Sequence, residues 1–308
     1  MTLAQLANFV RIVELQSLSR AAAMVRIAQP ALSRQVRQLE AELGATLLVR
    51  HAWGVTPTAA GEALLLSARR LLHDADGVKD AVHALATHPR GRVALGVPAS
   101  LAASLLPPLA EALRRQYPDL RPYLVEGFSA VLHNRLVSGD LDMAVLYDER
   151  GFAGLTATPL LAEPLMLIGP PDAPAPGAST AERLRAGTMI LPSHPNRLRQ
   201  MIDEALAQHA APEPPILEVD SVPAILAMVE NGAGYTILPY STVAHLADQG
   251  RVGTWPLESP RLSRTLLLVR PSDRRTSPAI AAVEAALLAL VHDLAPALRW
   301  TPCSSNPS

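Results

Sequence analysis

The stretch from Ser17 to Thr58, SLSRAAAMVRIAQPALSRQVRQLEAELGATLLVRHAWGVTPT, decides the fold. Ser19 stands where a helix N-cap belongs, ahead of a helix from Arg20 to Val25, with Leu18 as the apolar residue of a hydrophobic staple. Ala21, Ala22 and Ala23 are small enough to let a second helix approach closely. The turn Ile27-Ala28-Gln29 leads into Pro30, which suits the first position of a helix because no amide donor is needed there. Beyond it Leu32, Val36, Leu39 and Leu43 recur at helical spacing, and Gly44 follows as a C-terminal stop. The other face of this helix carries Gln29, Ser33, Arg34, Arg37 and Gln38, with the two arginines about one turn apart, as entry into a DNA major groove requires.

A surface helix with solvated arginines would show the same pattern, so the neighbouring segments carry the argument. Upstream, a helix from Leu3 to Leu15 opens with Thr2 and Gln5 in capping-box spacing and offers Leu3, Leu6, Phe9, Val10 and Val13 to a three-helix core. Downstream, Leu47 to Thr56 reads as a two-stranded wing turning near Ala52, Trp53 and Gly54. Residues 1–58 are therefore expected to form a winged helix-turn-helix. Its DNA contacts are expected from Ser19, Gln29, Pro30, Ser33, Arg34, Arg37, Gln38, Arg50, Trp53 and Thr56.

The run FVRIVELQSLSRAAAMVRIAQPALSRQVRQLEAELGATLLVR, followed by VTPTAAG, resembles the amino-terminal domain of the LysR-type transcriptional regulators. The resemblance is motif by motif over the first sixty or so residues, and the rest of the chain agrees in length and order of elements. Within that family GVTPTAAG, LVSGDLDMAVLY and GAGYTILP are most similar to the nitrogen assimilation control branch. One position departs from the family pattern. Members commonly carry an arginine where this chain has Trp53, and an indole cannot neutralise phosphate or exploit the negative potential of a narrow minor groove. Base reading is therefore expected to rest on the recognition helix.

Composition bounds the remainder. At 308 residues the chain holds two or three domains and a large core. Before Gly91 there are 10 Lys+Arg against 7 Asp+Glu, and from there on 17 against 21, so positive charge gathers at the amino end, as a DNA-binding portion requires. Lys79 is the single lysine. Cys303, the single cysteine, lies in the polar ending PCSSNPS, which leaves no disulfide framework and no CxxC metal site. The histidines show no i, i+4 pairing and no HExxH, and GxSxG, P-loop and post-strand GxGxxG motifs are missing, so neither a metal nor another cofactor nor an enzyme activity is expected. The start MTLAQLANFVRIVE has no basic n-region or long apolar stretch, and the protein is expected in the cytoplasm, without membrane contact.

After Thr58 a long helical pattern places Leu64, Ala68, Leu71, Ala75, Val78, Val82 and Leu85 alternately four and three apart, the spacing of a paired helix. A helix lying against its own domain would show similar spacing; the resemblance implies pairing with a second subunit, presenting two recognition helices to two half-sites. THPRGR, residues 87–92, reads as a hinge, so the linker spans 59–90. Strands then alternate with helices: Val93–Val97, Leu101–Arg115, Arg121–Glu126, Ser129–Ser138 and Asp142–Tyr147, then strands near 165–169, 188–191, 216–219 and 235–238, with helices beginning near Asn196 and Val222. Thr265–Val269 returns as a strand and Pro278 opens a long helix. This is the pattern of a parallel sheet, and by resemblance of a two-lobed α/β, periplasmic-binding-protein-like effector domain over 91–298. Lobe I takes about 91–160 and 265–298, lobe II about 161–264. The crossings are expected near Ala157–Glu163 and Pro260–Arg264, a loop at 170–180, and a flexible tail at 299–308.

In open α/β sheets ligands sit beyond the carboxyl ends of strands, where helix N-termini offer amides. Pro98-Ala99-Ser100, Gly127-Phe128-Ser129 and Asp220-Ser221-Val222 occupy such places. Each serine is equally suited to capping a helix. The resemblance implies effector contacts from Ser100 and Ser129, with the Pro192-Ser193-His194 loop reaching across; Ser221 and Tyr147 complete the candidate set, although His194 could be solvated and Tyr147 a hydrogen-bonded core residue. The sequence thus points to a LysR-type regulator that binds double-stranded DNA, works with RNA polymerase, assembles as a dimer or tetramer and senses a small effector, an organic acid or inorganic anion. The alternatives are a ligand-independent member controlled by its abundance, and, from another class, a cytoplasmic solute-binding protein or enzyme.

Overall fold

The computed structural model describes residues 1–83, 89–147, 154–173, 180–183, 187–208, 216–257, 262–272 and 276–301. Helix α1 (Leu3–Leu15) opens with the expected capping box, Gln5 N donating to Thr2 Oγ1 at 3.2 Å and Thr2 N to Gln5 Oε1 at 2.8 Å. Helix α2 (Leu18–Val25) begins earlier than expected, and its cap is Ser17 rather than Ser19. Ser17 has the extended backbone a cap needs and its hydroxyl accepts from Arg20 N, whereas Ser19 is already inside the helix. Helix α3 (Gln29–Leu43) starts one residue before Pro30 and ends at Gly44, whose φ of 66° favours glycine. Leu6, Phe9, Ile12, Ala21, Leu32, Val36 and Leu39 form the core between the three helices. Leu3 and Leu43, expected in that core, are exposed in the terminal turns of their helices.

Strands β1 (Leu48–His51) and β2 (Gly54–Pro57) pair antiparallel as the wing. Gly54 has φ 144°, and a Cβ there would meet Gln16 O at 2.4 Å, so the close approach requires glycine. Helix α4 (Ala59–His83) follows, with Thr58 Oγ1 accepting from Gly61 N at 3.0 Å. Its first turns correct the expected pairing stripe. Ala68 is fully buried in the core of its own DNA-reading unit and so is not free to meet a second chain, while Leu64 is half-buried against that core. Leu71 and Val78 remain exposed, at 44% and 63%, and Ala75 is half-buried; Val82 lies on the helix, and Leu85 falls outside the described residues. Arg69 of α4 ion-pairs both Glu14 of α1 and Asp140, and Arg70 donates to Val137 O, tying the helix to the domain that follows.

That domain opens with β3 (Gly91–Pro98), α5 (Ala99–Gln116), β4 (Leu120–Gly127), α6 (Ser129–Val137) and β5 (Met143–Tyr147), with β3 parallel to both β4 and β5. A single strand, β6 (Leu155–Gly169), serves both lobes. It is followed by α7 (Thr180–Arg183), β7 (Met189–Leu191), α8 (Arg197–Gln208), β8 (Ile216–Glu218), α9 (Val222–Glu230), β9 (Thr236–Pro239), α10 (Tyr240–Asp248), β10 (Gly253–Pro256), β11 (Ser263–Pro271) and α11 (Pro278–Leu294). The first half of β6 pairs with β11, and its second half with β9 and β10. Because β11 returns from the other lobe it lies antiparallel to β5, so the sheet of lobe I is mixed, not wholly parallel as expected. Helix α10 and strand β10 were not legible in the sequence.

Each lobe has its own core: Leu95, Leu105, Leu109, Val145 and Leu287 in lobe I; Leu167, Ile190, Ile202, Val229 and Ile237 in lobe II. Burying one such aliphatic side chain stabilises by about 1.5–3 kcal/mol. The expected tail begins too early. Trp300 is 5% exposed within the core of lobe I, and Thr301 pairs through its backbone with Ala162. Cys303 and most of the 170–180 loop lie outside the described residues.

Candidate DNA-reading face and effector cleft

Three hydrogen-bonded links join the start of α2, the start of α3 and the wing into one surface. Ser19 Oγ donates to Gln29 Oε1 at 3.3 Å, Arg50 Nη2 donates to Ser33 Oγ at 2.9 Å, and Val55 N donates to Gln16 O at 3.0 Å. Ser19, Gln29 and Ser33 thus have partners within the protein, as does Gln38, which accepts from Gln5 Nε2 at 3.3 Å. Arg34 and Arg37 are exposed on α3 with no hydrogen-bond or ion-pair partner among the described residues, so their guanidinium forks are open to base edges and phosphates. Pro30 and Thr56 are exposed on the same unit; Thr56 Oγ1 lies 2.7 Å from His51 Nε2. Trp53, at the tip of the wing, is 94% exposed. Residues 15–39 and 43–61 contain no acidic side chain.

The expected effector residues come together. Ser100, Ser129, Tyr147, Ser193, His194 and Ser221 all line one cavity of about 410 Å³ between the lobes. Their local roles differ. Ser221 caps α9, accepting from Ala224 N at 3.4 Å. Ser193 donates to Asp220 through both its hydroxyl (2.6 Å) and its amide (2.9 Å), and these bonds hold the Asp220 carboxyl below its usual range. His194 is exposed, with Nε2 3.1 Å from Asp203. By contrast, α5 and α6 start after Pro98 and Phe128 with no side-chain cap, and their first turns, with Ser100 and Ser129, face the cavity. Phe128, Val131, Val219, Ile225 and Leu238 supply its apolar wall.

The floor is a polar knot that sequence reasoning missed. Glu163 is fully buried and faces Arg264 across the register of β6 and β11, at 3.1 Å from Nε and 3.0 Å from Nη2. It also accepts from Trp300 Nε1 at 2.9 Å, from Tyr147 OH at 3.4 Å and from Ser241 Oγ. Arg264 Nη2 donates to Ser100 Oγ at 2.9 Å, and the guanidinium lies 3.3 Å from the centre of the Tyr147 ring. Tyr147 OH is 2.8 Å from Ser100 Oγ. Burial pushes the Tyr147 phenol far above its ordinary range, with Arg264 pulling the other way, so it remains a neutral hydrogen-bonding group. One signal was available: a Glu and an Arg each stand at an expected lobe crossing, where an unpaired charge would be costly to bury.

Among the described residues no cluster of metal-ligating side chains occurs, and no helix is long and apolar enough to cross a membrane. A winged helix-turn-helix joined by a long helix to a two-lobed domain with an interlobe cleft is the architecture of a DNA-binding regulator that carries an effector-binding domain. The comparisons with known proteins give its family. Residues 3–62 match the bacterial regulatory helix-turn-helix protein, lysR family, and residues 86–291 match the LysR substrate binding domain. The chain belongs to the LysR family. It is 35% identical over 294 residues to the nitrogen assimilation regulatory protein nac of Escherichia coli (strain K12), covering 94% of this chain and 95% of that protein. The protein of the same name from Klebsiella aerogenes is also 35% identical, over 292 residues. Among solved structures, a full-length OxyR variant from Pseudomonas aeruginosa superposes with a TM-score of 0.74 at 26% identity, covering 94% of this chain and 97% of that one. CbnR complexed with its target DNA shares the fold, with a TM-score of 0.67 at 24% identity over 95% and 99% of the two chains. The chain is thus a DNA-binding transcriptional regulator with an effector-binding domain, and its relatives are regulators, not enzymes.

Proposed function

We propose that this regulator reads a partly palindromic operator as a homo-oligomer in the cytoplasm, alters the recruitment or activity of RNA polymerase, and is governed by a small organic acid bound between its lobes. The reading unit is residues 1–58, the linker 59–90, and the effector domain 91 to Thr301, which extends the C-terminal boundary to include Trp300. Arg34 and Arg37 read bases, and the exposed Leu71 and Val78 of α4 carry the pairing of subunits. The observation that carries the effector reading is the 410 Å³ cavity onto which two helices without side-chain caps open. Helix N-terminal amides and the Ser100 and Ser129 hydroxyls suit a carboxylate. The apolar wall of Phe128, Val131 and Ile225 has no use for an inorganic ion and suits a hydrocarbon body.

The test is a thermal-shift series on the full-length protein with aliphatic and aromatic carboxylates against phosphate, sulfate and chloride. Carboxylates with an apolar body are expected to raise the melting temperature, and Ser100→Phe and Ile225→Trp to remove the shift while operator binding persists. Stabilisation by inorganic anions alone would overturn the organic-acid reading. No shift from any of them, with regulation tracking protein concentration alone, would establish the abundance-controlled alternative.

A further inference from the structure

The wing tip presents a large apolar surface to water. Trp53 sits in the two-residue turn between His51 and Gly54, which pair across the hairpin, and its indole is 94% exposed. The hairpin holds that turn firmly. Gly54 abuts Gln16 O, Val55 N bonds the same oxygen, and Arg50, three residues before the tryptophan, is hydrogen-bonded to Ser33 of α3. The tip is therefore fixed relative to the helix that bears Arg34 and Arg37, and the surface around it contains arginines 20, 34, 37 and 50 and no acid between residues 43 and 61. With the backbone of the tip held, the indole has only its two side-chain torsions to fix on binding and gains from removal of its apolar faces from water. Its surroundings favour a polyanion with flat, apolar edges.

We infer that Trp53 is a specificity-determining DNA contact: its indole lies on deoxyribose and base edges of the minor groove beside the site read by α3, contributing affinity that does not depend on salt. The inference rests on the DNA-reading surface proposed above. Apolar and aromatic side chains press between or against base steps most readily where the duplex is easily unstacked, so the contact reads deformability instead of charge. Arginine at this position would act by releasing counterions; the indole acts by desolvation and stacking.

The experiment uses full-length protein and two duplexes, one recovered from randomised DNA by the wild-type protein and one scrambled. Trp53→Ala is expected to weaken binding to the recovered duplex about tenfold or more, with an unchanged slope of log Kd against log salt, and Trp53→Phe to restore part of the loss. Tryptophan emission should be quenched and blue-shifted on adding the recovered duplex, and Trp53→Phe should abolish that change, since Trp300 is buried and Trp255 is part-buried against Tyr235. Unchanged affinity in Trp53→Ala with a loss in Arg34→Ala overturns the role of Trp53 alone. Unchanged affinity in both overturns the reading surface itself. A DNA-induced emission change that survives in Trp53→Phe, or an altered oligomeric state with normal DNA affinity in Trp53→Ala, also overturns the inference, the latter by assigning the indole to a second copy of the chain.

Discussion

The DNA-reading face and the floor of the cleft both depend on arginines and hydroxyls, yet they use them under opposite physical conditions. On the reading face the links run from three residues apart, Ser17 with Arg20, through Ser19 with Gln29 and Ser33 with Arg50, to 33 apart, Gln5 with Gln38, and most of those side chains are exposed. On the cleft floor Glu163 takes its partners from Ser241, Arg264 and Trp300, each far along the chain, and is fully buried. Exposed pairs contribute roughly 0–1 kcal/mol, because water competes and side-chain entropy is lost. Removing one partner of a buried pair costs about 3–5 kcal/mol, because the other charge is left without compensation. The reading unit is consequently held by its apolar core and leaves Arg34 and Arg37 open on its surface, whereas the effector domain places a buried polar knot where its lobes meet.

The largest expected effect is on the apolar side of that comparison. Ala68→Glu buries a charge in the core of the reading unit and should cost roughly 4 kcal/mol or more, abolishing operator binding and reducing helical circular dichroism while the unfolding transition of Trp300 is unchanged. Leu71→Glu, on the exposed side of the same helix, should keep the fold and shift sedimentation toward monomer. Equal behaviour of the two variants would break the division of α4 into an inward and an outward face.

Glu163→Ala comes next, with an expected loss of about 3–5 kcal/mol in the effector domain, measured by denaturant titration through Trp300 fluorescence; Glu163→Gln, which keeps hydrogen-bonding atoms, should lose less. A cost near zero would mean that the lobes are held by their cores alone. Arg34→Ala should follow, weakening operator binding by about 1–3 kcal/mol per half-site and relaxing preference at the base it contacts, as read by competition between recovered and scrambled duplexes. The smallest effect is expected from Ser19→Ala, below about 1 kcal/mol in stability, since its bond to Gln29 is exposed; a larger loss would place that link among the supports of the fold.

The reading unit was legible because its signals are local. Capping box, Pro30, Gly44 and the apolar spacing on α3 all act within a few residues, where the chain's geometry is determined by its own backbone. Even there, Ser17 and Ser19 compete for one cap two residues apart, and only the backbone conformation separates them. Ser100, Ser129, Tyr147 and Ser221 could be placed from the order of strands and helices, since a ligand site beyond the strand ends is a property of topology, whereas the lobe pattern and the reach of Ser193 and His194 across the cleft followed from the resemblance to the family. Helix α10 escaped because its first residues, Tyr240 to Val243, are buried on contact with neighbouring elements and show no amphipathic stripe.

The sequence by itself determined the winged helix and the strand ends that frame the cleft, since periodicity, caps and turns are encoded over short distances, while the two-lobed plan followed from the resemblance to the family. Only the tertiary structure decided which face of α4 is free, where the domain ends, and that Glu163, Arg264, Tyr147, Ser100, Ser241 and Trp300 form one knot. Those contacts join residues up to 164 positions apart. No local pattern announces such a partner, and the cost of burying each charge is met only when the lobes close the chain upon itself.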